Sequence, residues 1–135
     1  MPVAPIRAIV EKRSFSLGLY VGDTLLRLYW VGLGANDKTP VTTFDVIAKQ
    51  PRPQWTAPDG RVLPYGHQDN ILGEYFIKFG HPSYIGFGAH GTPMPETIGT
   101  MSSMGCIRMY APDIAELFEI LPRGATVEIR ANQST

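Results

Sequence analysis

The chain has 135 residues, 44% of them hydrophobic and 18% charged, with 12 basic side chains against 12 acidic ones. That is one domain with enough apolar content for an ordinary core, which excludes a disordered tail. No apolar run approaches the ~18 residues of a membrane-spanning helix. Zero net charge without a Lys/Arg cluster argues against nucleic acid as a partner.

The 14 Gly and 12 Pro predict short strands, many turns and at least one structured loop. Ile6–Glu11 and Phe15–Tyr20 alternate as two short strands. Val21 to Thr24 is a turn signal, and Leu25–Leu33, rich in aliphatic and aromatic residues, reads as a third, mostly buried strand. After a polar loop over 34–40, Thr42–Ala48 alternates with Phe44, Val46 and Ala48 on one face. Residues 50–73 hold Pro51, Pro53, Pro58 and Pro64 with Gly60, Gly66 and Gly73. Proline removes ladder donors, so this stretch reads as a long loop with at most a strand over Arg61–Leu63. Trp55 and Tyr65 within it favour an ordered loop that packs down or lines a groove. Tyr75–Phe79 and Tyr84–Ala89 read as strands.

Pro112–Leu121 is the clear helix, with Ile114, Leu117, Phe118 and Leu121 on one stripe. Pro112 suits its first position, Asp113 and Glu116 complement its N-terminal dipole, and Pro122 ends it. Thr126–Arg130 alternates as a final strand. The sum is a mainly β domain, a sandwich or flattened barrel with one C-terminal helix. Arg7, Glu11, Lys12 and Arg13 interrupt any apolar leader in the first 20 residues, so the chain reads as a single domain excised from a longer protein if the parent is exported.

Cys106 is the one cysteine, which excludes an internal disulfide. A lone cysteine is commonly a small buried hydrophobe. Its neighbours offer a second reading: Gly105 allows close approach of a substrate, and Arg108, on the same face if the stretch is extended, lowers the thiol pKa. A thiol nucleophile needs a base. His90, in Gly88-Ala89-His90-Gly91-Thr92 at a strand end, is 16 residues upstream of Cys106. His67 and His81 precede or enter loops and read as surface residues. A zinc site from the three histidines and Cys106 has no pair at metal-ligand spacing.

The stretch His90-Gly91-Thr92, then Ile98-Gly99, then Ser103-Met104-Gly105-Cys106-Ile107-Arg108-Met109 resembles the signature of the L,D-transpeptidase catalytic domain, the YkuD-like family. Lys38-Thr39-Pro40-Val41-Thr42-Thr43-Phe44, Asn70-Ile71-Leu72-Gly73 and the helix after the cysteine agree with it. The resemblance runs from about Ile6 to Ile129. Two positions depart: Met104 stands where many members have His, and Val41 where the family usually has a Gly-containing segment.

The resemblance implies a mostly β fold, a cell-envelope setting, and the stem peptides of peptidoglycan as substrate. It calls for no cofactor and no metal. Cys106 is then the nucleophile and His90 the general acid/base, with the Gly91 carbonyl orienting the imidazole. The Gly105 and Cys106 N–H groups are expected to form the oxyanion hole. Arg108 and Ser103 are the expected substrate-binding side chains, Arg108 holding a stem carboxylate or else buttressing the cysteine loop, and Ser103 also hydrogen-bonding within the turn. Two alternatives stay open on the residues: a thiol hydrolase acting on the same peptides, and an inactive cell-wall-binding module.

Overall fold

The computed structural model describes residues 5–131. Eight strands close into a barrel. They are β1 (Ile6–Glu11), β2 (Ser16–Val21), β3 (Thr24–Gly34), β4 (Thr43–Pro51), β7 (Tyr75–Gly80), β8 (Gly88–Gly91), β10 (Ile107–Met109) and β11 (Thr126–Arg130). The circuit runs β10-β8-β7-β4-β11-β1-β2-β3 and closes through antiparallel pairing of Arg108 with Gly32 and Met109 with Val31. A ninth strand, β9 (Met101–Ser103), lies parallel to the end of β3, beyond the stretch that takes β10. Two-residue strands β5 (Trp55–Thr56) and β6 (Val62–Leu63) form a separate hairpin.

Closure satisfies the backbone of the wall and leaves alternate side chains pointing inward. Val10, Leu17, Leu19, Val31, Leu33, Phe44, Ile77, Met109 and Val127 form the buried interior. The helix, α1 (Ala111–Ile120), packs against β7 and β8 through buried Ile114 and Leu117, and Leu121 at its C-cap is buried with them. Truncating such a core leucine to alanine costs about 2–5 kcal/mol. Glu116 is drawn away from the helix N-terminus: it accepts from Tyr29 Oη at 2.7 Å and Arg27 Nε at 3.1 Å, tying α1 to β3.

Three sequence expectations change. The first half of β3 is exposed on both faces rather than mostly buried, with Leu28 at 53%, because it pairs with β2 alone and extends past the part of the wall that β10 completes at Val31 and Gly32. β8 begins at Gly88, not Tyr84. Tyr84 and Phe87 instead join Phe44 and His81 in an aromatic cluster beside the barrel wall, and the chain turns at Gly86 with a φ of 88°. The 50–73 stretch is the ordered loop expected, but it holds more strand than Arg61–Leu63 alone. β4 continues to Pro51, and a hairpin folds around Asp59-Gly60, where Asp59 accepts from the backbone N–H and guanidinium of Arg61.

Candidate active site

Two short strands and one loop build the site. β8 carries His90 and β10 carries Arg108, and their parallel register sets Ile107 against Ala89, Arg108 against His90 and Met109 against Gly91. Register partners on adjacent strands share a face of the sheet. On its other side His90 is the partner of Phe76 in β7, with ring centroids 6.5 Å apart. The imidazole is thus held between an aromatic ring and a guanidinium, and is 2% exposed.

The His90 Nδ1 lies 2.7 Å from the carbonyl oxygen of Gly91. A carbonyl only accepts, so Nδ1 carries the hydrogen and Nε2 keeps its lone pair. Burial pushes the His90 pKa down to about 4; the Arg108 charge adds to this and the Gly91 bond opposes it. At neutral pH the side chain is a neutral, oriented acceptor.

Cys106 does not lie in a strand. It ends the loop between β9 and β10, where Gly105 takes a φ of 129°. A Cβ at Gly105 would meet the Phe87 ring at 2.6 Å, so the position accepts only glycine without rearrangement. Two side chains pin this loop. Ser103 Oγ donates to the Cys106 carbonyl at 2.6 Å and accepts the Gly105 N–H at 3.1 Å. Thr39 Oγ1 donates to the Gly105 carbonyl at 2.7 Å and accepts the Gly34 N–H at 2.8 Å. The Gly105 N–H, expected from sequence in the oxyanion hole, is therefore engaged by Ser103 in this structure.

The thiol is half-buried and donates to the Gly86 carbonyl at 3.6 Å. Burial pushes its pKa up, and the Gly88 backbone and the Arg108 charge pull against that without overcoming it. Proximity to Arg108 was expected to leave the thiol more acidic than usual, but desolvation outweighs the guanidinium.

Cys106, His90, Ser103 and Arg108 line one cavity of about 110 Å³. Trp55, Ile71, Leu72 and Met104 supply its apolar wall, so the irregular 50–73 segment closes the site. Arg108 is 8% exposed, and its polar side-chain contact is Ser102 Oγ at 3.5 Å; no carboxylate pairs with it among the described residues. A buried guanidinium without a counter-ion favours an anion in that space.

The other histidines lie elsewhere. His81 bonds Thr42 Oγ1 at 3.0 Å in the aromatic cluster, and the exposed His67 accepts the Asp69 N–H at 3.0 Å. Among the described residues no three His, Cys, Asp or Glu side chains gather as metal ligands. Nor, among them, is any helix long and apolar enough to cross a membrane. A wider open groove of about 580 Å³ along 49–54, Pro64 and Tyr65 contains none of the site groups. The role of Thr39 was missed in the sequence, where it appears only as part of a Lys-Thr-Pro segment; no local signal says that its hydroxyl reaches Gly105.

Comparison with known proteins matches this architecture. Residues 5–129 fit the family model of the YkuD L,D-transpeptidase catalytic domain. YqjB of Bacillus subtilis (strain 168) is 33% identical over 124 residues, covering 90% of this chain and 69% of that protein. YkuD of Bacillus licheniformis is 32% identical over 126 residues, covering 93% of this chain and 66% of that protein. Both carry L,D-transpeptidase names. An L,D-transpeptidase structure from Mycobacterium smegmatis superposes with a TM-score of 0.76 at 18% identity, over 95% of this chain and 59% of that one. With the family model spanning nearly all of the barrel and helix, the chain belongs to the L,D-transpeptidase catalytic-domain family.

Proposed function

We propose that this domain catalyses L,D-transpeptidation on peptidoglycan stem peptides through a thioester on Cys106. The reading rests above all on one cavity that holds the sequence's only thiol, an oriented neutral imidazole and an unpaired buried guanidinium.

His90 Nε2 takes the Cys106 proton as the sulfur attacks the donor carbonyl between the L-centre of a diamino acid and the terminal D-residue. The carbon–nitrogen bond breaks, the leaving amine takes the proton from His90, and the stem remains as a thioester. The acceptor amine then attacks, gives its proton to His90, and the thiol is restored as the new amide forms. The Gly91 carbonyl holds the ring in the one tautomer that leaves Nε2 basic.

The resting pair is a neutral thiol beside a neutral imidazole, since burial raises the first pKa and lowers the second. The thiol therefore gives up its proton only in the course of the reaction, and His90 Nε2 is the base at hand. The oxyanion is received by the Cys106 N–H, joined by the Gly105 N–H once that donor leaves Ser103 Oγ. Each such donor is worth about 3–4 kcal/mol in comparable sites. Arg108 receives a stem carboxylate. A peptidoglycan substrate is met at the cell envelope.

The test is mass spectrometry of muropeptides after incubation. The expected product is a cross-linked dimer that has lost one terminal D-residue. Loss of that residue without cross-linking, even with an acceptor amine present, reassigns the domain as a thiol hydrolase. No change in any muropeptide, with no thioester on Cys106, reassigns it as a binding module.

A further inference from the structure

Lys12 is a buried charge that the mechanism above does not use. It follows β1, is 4% exposed, and its backbone is held on both sides: its N–H donates to the Arg130 carbonyl at 2.9 Å and its carbonyl accepts from Phe15 N–H at 3.3 Å. Its ammonium donates to the Thr39 carbonyl and pairs with Asp37 Oδ1 at 2.7 Å. Burying an ammonium is costly, and an apolar side chain of similar volume would fill the same space without that cost. Its presence therefore calls for a reason other than core packing.

The segment that Lys12 grips is itself bent out of the ordinary. Asn36 and Asp37 both lie in the left-handed region, at φ 54° and 60°. Asn and Asp tolerate this region better than other non-glycine residues, but two in succession persist only when their surroundings hold them. This turn brings the Asp37 carboxylate and the Thr39 carbonyl to the same ammonium. Thr39 is 1% exposed, and its hydroxyl joins the Gly34 N–H to the Gly105 carbonyl. Three backbone segments meet there with no room to spare: a Cβ on Gly34 would lie 2.8 Å from Gly105 Cα and 3.0 Å from the Thr39 N.

We infer that Lys12 is a positioning residue for Cys106, acting through Thr39 on the Gly105 carbonyl. The chain of contacts runs from ammonium to Thr39 carbonyl, and from Thr39 hydroxyl to the peptide unit that precedes the nucleophile. With the ammonium gone, the strained turn relaxes and Thr39 withdraws. The Gly105 carbonyl then loses its donor, and the Cys106 N–H and thiol lose their fixed aim at the cavity. Misplacement on the order of 1 Å at a reacting centre costs up to about 100-fold in rate.

This inference rests on the acyl-transfer reading for its activity readout. Variants Lys12→Met, Thr39→Val and Asp37→Asn are compared with Lys12→Arg and Thr39→Ser in the full chain. Acylation of Cys106 by imipenem is followed by intact mass, separating the saturating rate from the concentration dependence. Lys12→Met and Thr39→Val are expected to slow the saturating rate by about ten-fold or more, with half-saturation changed by less than about two-fold. Amide exchange at residues 103–106 is expected to quicken. Lys12→Arg and Thr39→Ser are expected to recover most of the rate.

An unchanged saturating rate in Thr39→Val overturns the inference. So does a loss in Lys12→Met that Lys12→Arg does not recover when both melt at the same temperature. If Lys12→Met does not fold, Asp37→Asn, at an exposed carboxylate, serves in its place with a loss of a few-fold, and no loss overturns the inference. Failure of the wild type to acylate counts against the acyl-transfer reading instead; positioning is then decided by amide exchange at 103–106 in Thr39→Val, where unchanged exchange overturns it.

Discussion

His90 and Arg108 are direct register partners on adjacent parallel strands, so a base and a permanent cation stand side by side on one face of the barrel wall. Both are buried. The arrangement keeps the imidazole neutral, because burial and the neighbouring guanidinium both disfavour a second positive charge. It also sets the guanidinium beside the thiol, where it favours the thiolate against the pull of burial.

The depressed His90 pKa makes the fold acid-sensitive in a defined window. The unfolded chain binds this proton near pH 6.5 and the folded protein only near 4, so the unfolded state binds more protons between those values. Stability attributable to His90 is complete above pH 6.5 and is lost as the pH falls toward 4, by about 3 kcal/mol in all. Denaturant unfolding across that range, with His90→Gln as the control lacking the titration, measures it. An equal slope in both proteins would falsify the assignment. By NMR the His90 ring is expected to remain neutral at pH 5.5.

Arg108→Met is expected to raise both titrations together. Removing the cation relieves the His90 imidazolium and withdraws support from the Cys106 thiolate. Iodoacetamide labelling reads the thiol cleanly, since Cys106 is the only cysteine. Its labelling profile is expected to shift to higher pH in the variant, while the His90 NMR titration moves up from about 4. A downward shift of either group contradicts the arrangement.

Gly105→Ala separates backbone strain from steric conflict when set beside Gly60→Ala. Both glycines have positive φ, but a Cβ at Gly60 meets nothing within 4 Å whereas one at Gly105 runs into Phe87. Gly60→Ala is expected to cost about 1 kcal/mol from backbone conformation alone. Gly105→Ala is expected to cost more, on the order of 3 kcal/mol, and to abolish acylation by displacing the cysteine loop. Equal melting temperatures for the two variants would count against the Phe87 contact.

Cys106→Ala is expected to abolish acylation by imipenem and muropeptide turnover while leaving the melting temperature within a few degrees, since alanine nearly fits the thiol's place. Intact mass of the wild type is expected to rise by one drug molecule, mapped to the peptide holding Cys106. Residual turnover above a few per cent in the variant removes Cys106 from the nucleophile role.

Met104→His is expected to alter the acylation rate by only a few-fold. The Met104 side chain is 58% exposed at the cavity rim, whereas His90 is buried and oriented by the Gly91 carbonyl. A gain of several orders of magnitude would mean that His90 is not the working base.

The sequence by itself determined the class of fold and the motif. Alternation of apolar residues marks β1, β4, β7 and β11, and the stripe of Ile114, Leu117, Phe118 and Leu121 marks α1, because these periods follow from local backbone geometry. The motif from His90 to Met109 gave the family on its own. Tertiary structure decided the rest. β9 and β10 have three residues each, too few to show a period, and exist because β3 offers them an edge. The pairing of His90 with Arg108 is a register between strands 18 residues apart, which no local pattern encodes. The raised thiol pKa reflects desolvation in a cavity that residues 55 and 71–72 help to enclose. Thr39 reaches the nucleophile loop across 66 residues and Lys12 reaches Thr39 across 27, contacts that only the closed barrel brings about.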